Sequence, residues 1–384
     1  MAKGSHGGSR KRRADFPFPE RELAPWEFWP ARLFEAPYYA TLMTGCLLHG
    51  LPLKALARAN WALDHGEIGI GSKYATQLAF DQRWFPATAH LPADLNAAEK
   101  SALIRDFALA HGLPVVLKPD MGAVGKGLLR VDAQDRIDEA VARLASDYLL
   151  QAYVDAPAEF GVFWQRHGRE GRITGINEKH FPTVVGNGRD DLATLAAGHV
   201  RYTHHWDLFL GDHALARVPE AGEVVRLSFV GSHTMGCRFT DDTHLLSGAL
   251  LDAVSRFLED QPGYNFGRLD LRCAGTEALR DGDFTVIEAN GIASLPTHMF
   301  DPRHTLGRAW AIFRQHGRDL VRIAAEHRHV PMDLAGWGEI AARVRSSRKA
   351  LDGVHARALE AGRARRQASR GRGSSAETRA SAVT

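Results

Sequence analysis

Two stretches in the C-terminal third of the chain carry the alternation expected of strands. In Gly267-Arg268-Leu269-Asp270-Leu271-Arg272 an extended backbone sends Arg268, Asp270 and Arg272 to one face and Leu269 and Leu271 to the other. Phe284-Thr285-Val286-Ile287-Glu288-Ala289-Asn290-Gly291 is apolar up to Glu288, and Asn290 follows on the same face. The Asp281-Gly282 turn signal between them predicts an antiparallel hairpin that draws Asp270, Glu288 and Asn290 together. Further upstream, the apolar run Pro114-Val115-Val116-Leu117-Lys118-Pro119 ends in a lysine. It opens into Asp120-Met121-Gly122-Ala123-Val124-Gly125-Lys126-Gly127, followed by a second strand at Leu128-Leu129-Arg130-Val131 and a helix from about Ala133. Strands are also expected at 148–154 and 224–230, and helical periodicity runs from Leu245 to Leu258.

Carboxylates on largely apolar strands are costly unless a positive group lies between them. Mg²⁺, or Mn²⁺ in its place, answers that need at Asp270, Glu288 and Asn290, because it accepts few protein oxygens and leaves the rest of its shell to water and phosphates. A surface ladder in which Arg268 and Arg272 neutralise the two acids is the competing reading of this hairpin. Glycines 122, 125 and 127 let backbone N–H groups approach an anion, and Lys118 and Lys126 add charge. The loop is not a Walker A motif, since Gly127 stands where a Ser or Thr would bind Mg²⁺, and it is not a dinucleotide fingerprint, since a strand follows it. A glycine hairpin closing over phosphates fits better than either, with a ligand-free glycine turn as the plainer alternative.

In this order the pieces resemble the ATP-grasp superfamily, and within it the D-alanine–D-alanine ligase-like carboxylate–amine ligases, over roughly residues 68 to 302. Gly69-Ile70-Gly71-Ser72-Lys73 is similar to the segment carrying the family's first nucleotide lysine, Phe85-Pro86-Ala87-Thr88 stands for its Pro-x-Thr segment, and Lys118 matches its second lysine. Tyr148 to Val154 is similar to the hinge strand that receives adenine, which implies nucleotide contacts at Gln151 and Tyr153, with glutamine where the family usually has an acid. The resemblance implies that Glu159 holds the ribose hydroxyls and that Lys179 is a further lysine of the site. It also implies that Asp270, Glu288 and Asn290 are the metal ligands, that Arg268 faces the reacting phosphate, and that Ser294 lies near the acyl centre, where a plain turn residue is an equal reading. The fold implied is α/β (α+β), two lobes sandwiching ATP. The activity implied is amide or peptide bond formation from a carboxylic acid and an amine through an acylphosphate. A phosphotransferase using the same nucleotide site and a non-catalytic scaffold are the alternatives.

Charge divides the chain. Residues 1–13 hold five Lys or Arg and no acid, residues 341–384 hold eleven against three, and the body between holds 32 basic against 42 acidic residues. The expected organisation is a disordered basic start at 1–13, a mostly helical region at 14–66, an ATP-grasp domain at 67–330 divided near 150, and a helix leading into a disordered basic tail at 331–384. The tail lacks interleaved aromatic residues, so no specific nucleic acid partner is expected. Three cysteines without metal spacing argue for a reducing cytosol rather than a disulfide framework. His204-His205 has no acidic or cysteine partner at metal spacing and reads as surface. The aromatic stretch Pro25 to Pro30 and the uncharged run after it are too short and interrupted to span a membrane. Helices packed on the body are expected there, with an interfacial membrane contact as the minority reading. No secretory signal is legible. A homodimer is compatible with all of this.

Overall fold

The computed structural model describes residues 23–346 except 69–70, 123–124, 204–205, 207–209 and 211–213, together with residue 349. The basic segment 1–13, the tail beyond 350, Gly69-Ile70, Ala123-Val124 and the His204-His205 pair therefore lie outside the described residues.

The described part of the N-terminal region is helical. Helices α1 (Ala31–Phe34) and α2 (Ala36–Leu48) lead into 3₁₀ segments at Leu53–Asn60 and Asp64–Glu67. Helix α2 carries no charged residue. It buries Tyr38, Leu42 and Cys46 and leaves Tyr39, Met43 and Leu47 exposed. No single described helix is long and apolar enough to cross a membrane; α2 and the next segment would pass together but are bent by 92°.

A four-stranded antiparallel sheet follows, made of β1 (Thr88–Leu91), β2 (Val115–Pro119), β3 (Leu129–Val131) and β4 (Tyr148–Ala152) in the order β1-β4-β2-β3. Helix α3 (Lys73–Leu78) precedes it. Helix α4 (Ala97–His111) covers it, started by a reciprocal cap in which Asn96 accepts from the Glu99 amide and Glu99 accepts from the Asn96 amide. Ile104 and Ala108 of α4 and Ile137 of α5 (Ile137–Val141) pack on Val115, Leu117 and Leu150. The glycine hairpin connects β2 to β3, paired from Val115–Val131 to Leu117–Leu129, and Gly125 and Gly127 both take φ of 75°, a backbone region that side chains disfavour.

The second sheet is also antiparallel, in the order β11-β10-β5-β6-β9, from β5 (Ala158–His167), β6 (Glu170–His180), β9 (Arg238–Asp241), β10 (Phe266–Cys273) and β11 (Thr285–Asn290). One face holds the main core, where Leu269, Leu271, Val286 and Phe160 meet Leu250, Val254 and Phe257 of the amphipathic helix α7 (Gly248–Phe257). A small pair, β7 (Thr183–Val185) and β8 (Val224–Arg226), and helix α6 (Leu192–Ala197) complete this half. Helix α9 (Leu306–Glu326) then crosses back, and its Phe313, Leu320 and Val321 share a core with Tyr38, Leu42 and Cys46 of α2. Residues 337–346 are helical.

Two local expectations change. The β10–β11 connection is not a tight turn: α8 (Thr276–Asp281) fills it, and Gly282, with φ of 76°, caps its C-terminus. The same Asp-Gly pair serves a hairpin turn or a helix end, so its local chemistry does not separate the two. The strand expected over 224–230 stops at Arg226. Leu227 still donates its amide to the Pro182 carbonyl at 2.8 Å, but Pro182 has no N–H to return and the ladder ends.

Candidate active site

The inner face of the second sheet carries a ladder of alternating charge. Strand pairing sets Arg268 opposite Asn290, Asp270 opposite Glu288 and Arg272 opposite Glu159. Lys179 on β6 reaches across, with Nζ 2.9 Å from Glu159 Oε1 and 3.0 Å from Asp270 Oδ1. Arg272 Nε donates to Glu159 Oε2 at 3.0 Å, and Arg268 grips Asp270 with Nε and a terminal nitrogen at 2.7 and 3.1 Å. Asn290 Nδ2 donates to Asp270 Oδ2 at 3.3 Å. Gly231 passes so close that a Cβ there would lie 2.0 Å from Glu159 Oε1, so this loop depends on having no side chain.

Lys73 is the first residue of α3. Asp120, directly after β2, fixes that helix start: its Oδ1 accepts from the Tyr74 amide at 2.8 Å and from Ser72 Oγ at 3.0 Å. Lys73 is thereby aimed at Glu288 Oε1, 2.5 Å away. Lys118 Nζ donates to the Ile287 carbonyl at 3.1 Å. The consequences for ionisation differ. Burial alone pulls the Lys73 ammonium down, but Glu288 outweighs it and the pKa stands above the ordinary lysine value. For Lys179 burial is likewise overcome, by Asp270 and Glu159. Burial would raise Asp270, Glu159 and Glu288, yet the neighbouring cations hold all three below the usual carboxylate range. Lys118 has less compensation, so burial lowers it to about 8.

These residues face one cavity of about 680 Å³ between the sheets, and of the residues singled out in the sequence all but Gly127 line it. Gln151 is buried on β4 with its amide nitrogen 3.1 Å from Thr88 Oγ1, and Tyr153 lies under the Arg272 guanidinium, 5.1 Å from ring centroid to cation. Ser294 lines the cavity, but its hydroxyl donates to the Gly291 carbonyl at 2.7 Å, the bond of a turn residue. Two acids that the sequence reading assigned no role belong to the framework. One is Asp120. The other is Glu67, which accepts from the Gly291 amide at 2.5 Å and from Thr76 Oγ1, tying the N-terminal region to the end of β11. Glu67 has φ of 58° and follows two other left-handed residues, a local strain that no sequence pattern announces.

Asp270, Glu288 and Asn290 suit a hard divalent cation. They offer two carboxylates and an amide on adjacent strands, and the carboxylates are already held as anions by cationic neighbours. A second group, Glu178, His180 and Asp242, also brings ligand atoms within 4.8 Å of one another. Because Lys179 points into the cavity, its neighbours Glu178 and His180 point to the other face of the sheet, and none of the three lines the cavity.

No family profile and no curated protein matches the chain. Among solved structures it is similar to an ATP-bound D-alanine–D-alanine ligase from Bacillus anthracis, at 13% identity and a TM-score of 0.35, over 72% of this chain and 67% of that one. A bifunctional glutathione synthetase from Pasteurella multocida aligns at 16% identity and a TM-score of 0.33, over 63% of this chain and 35% of the other. A carboxyaminoimidazole ribonucleotide synthase from Aspergillus clavatus aligns at 13% and 0.34, over 57% and 44%. The chain thus spans less than half the length of these last two. The chain aligns with part of each of these folds. A likeness of this extent carries no argument about activity.

Proposed function

We propose that the chain is an ATP-dependent carboxylate–amine ligase. The observation that carries this reading is the ladder Arg268–Asp270–Lys179–Glu159–Arg272, with Lys73–Glu288 beside it, lining an open cavity under a glycine hairpin. Ionic groups assembled for stability alone gain little over apolar packing. Ion pairs exposed to a cavity, with cations on both sides of a carboxylate pair, suit a polyanion and its counter-ion.

In this reading Lys73, Lys118 and the amides around Gly122 and Gly125 hold the phosphates, Gln151 and Tyr153 flank the base, and Glu159 receives the ribose hydroxyls. Asp270, Glu288 and Asn290 would hold Mg²⁺, which when bound would offset phosphate charge and make the γ-phosphoryl group a better electrophile. Arg268, which holds Asp270, would meet charge that builds on the transferring group, exchanging part of that contact for a phosphoryl oxygen. An oxygen of the substrate carboxylate forms a bond to the γ-phosphorus as the bond to the ADP oxygen breaks. The amine nitrogen then bonds the acyl carbon, the acyl–phosphate C–O bond breaks, and the amine proton leaves to solvent with inorganic phosphate as the departing group. The glycine hairpin over the site would exclude water from an acylphosphate that hydrolysis would destroy.

The test is ADP release from Mg-ATP with pooled carboxylic acids and amines, with free amine followed in parallel. Stoichiometric ADP release and amine loss support the ligase. ADP without amine loss replaces it by a phosphotransferase, and no stimulated release by any pool contradicts both.

A further inference from the structure

Away from the charged ladder the cavity has a second end, lined by Glu27, Phe28, Trp29, Phe34 and Glu35 of the N-terminal region together with His233 and Phe300. The His233 ring lies between two aromatic rings, its centroid 5.0 Å from Phe28 and 4.6 Å from Phe300, with interplanar angles of 22° and 20°. Phe34 stacks on Phe300 from beyond at 5.4 Å. The row is anchored by a buried acid: Glu27 Oε1 lies 2.7 Å from His233 Nε2, and Arg201 binds both Glu27 oxygens at 2.7 and 2.9 Å. The rings are therefore set in a stack before any ligand arrives. Phe28 is 59% exposed at its mouth and Trp29 stands beside it.

Flat rings held in a row present an apolar wall that another flat ring covers well and a short aliphatic chain covers poorly. Charge narrows the choice further. The acids lining this end are Glu27, already neutralised by Arg201 and in contact with the His233 ring, and Glu35, whose carboxyl is hydrogen-bonded by Tyr39. Among the described residues lining this end there is no Lys or Arg to receive a second anionic group, which would approach Glu35.

We propose that the acid substrate is a monocarboxylate with an aromatic or comparably flat apolar body, its carboxylate toward Arg268 and its ring on the Phe28–His233–Phe300 wall. The direction of the carboxylate rests on the ligase reading; the ring site does not.

The experiment uses the full chain in two arms. In the first, 3-phenylpropionate, butyrate and glutarate are each titrated into protein saturated with Mg-ADP. In the second, the same acids drive ADP release from Mg-ATP with a mixture of amines. 3-Phenylpropionate should exceed butyrate by about tenfold or more in affinity and in kcat/KM, in the range a hydrophobic pocket can discriminate, and glutarate should be no better than butyrate. Phe300→Ala should erase most of that preference through KM while ATP affinity holds. Phe28→Ala, at an exposed position that does not threaten folding, should erase part of it. Butyrate or glutarate matching the aromatic acid, or a preference untouched by both variants, overturns the proposal. If no acid elicits ADP, the ligase reading fails, and the binding arm still decides: selective binding weakened by Phe28→Ala keeps the ring site, and its absence removes it.

Discussion

At one end of the cavity seven buried or half-buried ionic groups hold one another across five structural elements, with Lys179 bridging Glu159 and Asp270, Arg268 on Asp270, Arg272 on Glu159, and Lys73 on Glu288. At the other end a row of rings is stacked on a histidine that a buried glutamate anchors, and direct charge is scarce. The first arrangement is strongly interdependent, because losing one ion strands its partner in a poorly solvated place. The second is graded, because each ring contributes area and an edge or a face, and losing one leaves the others in place. The charged end should therefore fix what reaction is possible, and the aromatic end which molecule enters it.

The variant expected to do most damage breaks the bridge. Lys179→Met leaves Glu159 and Asp270 close together with no cation between them, and should cost about 3–5 kcal/mol of stability in denaturant unfolding. A cost below about 1 kcal/mol would show that the ladder is not interdependent. Asp270→Asn comes next: with the chain still folded by circular dichroism, Mg-ATP turnover should fall by about 10²–10³-fold, the scale of losing one preorganised electrostatic partner. Undiminished turnover would remove Asp270 from the metal assignment.

A smaller effect is expected from pH. Lys118 is depressed by burial to about 8, so it is charged below that pH and loses its proton above it. Metal-free ATP affinity, measured in EDTA above pH 7 where the terminal phosphate is fully ionised, should then fall above pH 8 by up to about tenfold per unit. Lys118→Arg should level that slope, and a slope that persists would assign it to another group. The smallest change is predicted at the aromatic mouth. Trp29→Ala should alter stability by no more than about 0.5 kcal/mol and leave ATP affinity unchanged, since a partly exposed side chain there serves only the second end. A loss of ATP affinity would mean that the two ends are not separable.

The two ends also differ in how legible they were in the sequence. Alternation in 267–272 and 284–291 announces strand faces directly, and the nearness of the two runs in the chain brings Asp270 opposite Glu288 even though a helix replaces the expected tight turn. The glycine hairpin is similarly local. By contrast, the contact of His233 with Glu27 joins residues 206 positions apart, and the Gly291–Glu67 bond joins residues 224 apart. Nothing in Pro25 to Pro30 marks which of its aromatic residues will face a cavity and which a core: Trp26 is buried in the α1–α9 core, whereas Phe28, two positions on, lies at the cavity mouth. Asp120 was visible only as part of a loop, because its work is to cap and aim α3, an element it meets in space rather than in sequence.

The central claim is that the charged end binds ATP with a divalent cation through Asp270, Glu288 and Asn290. Calorimetric titration of ATP into the full chain, with Mg²⁺ and then with EDTA, and again with Glu288→Gln, tests it most directly. The account predicts saturable one-to-one binding that Mg²⁺ strengthens in the wild type and does not strengthen in the variant. No binding in the wild type, or an equal Mg²⁺ effect in both proteins, would contradict it.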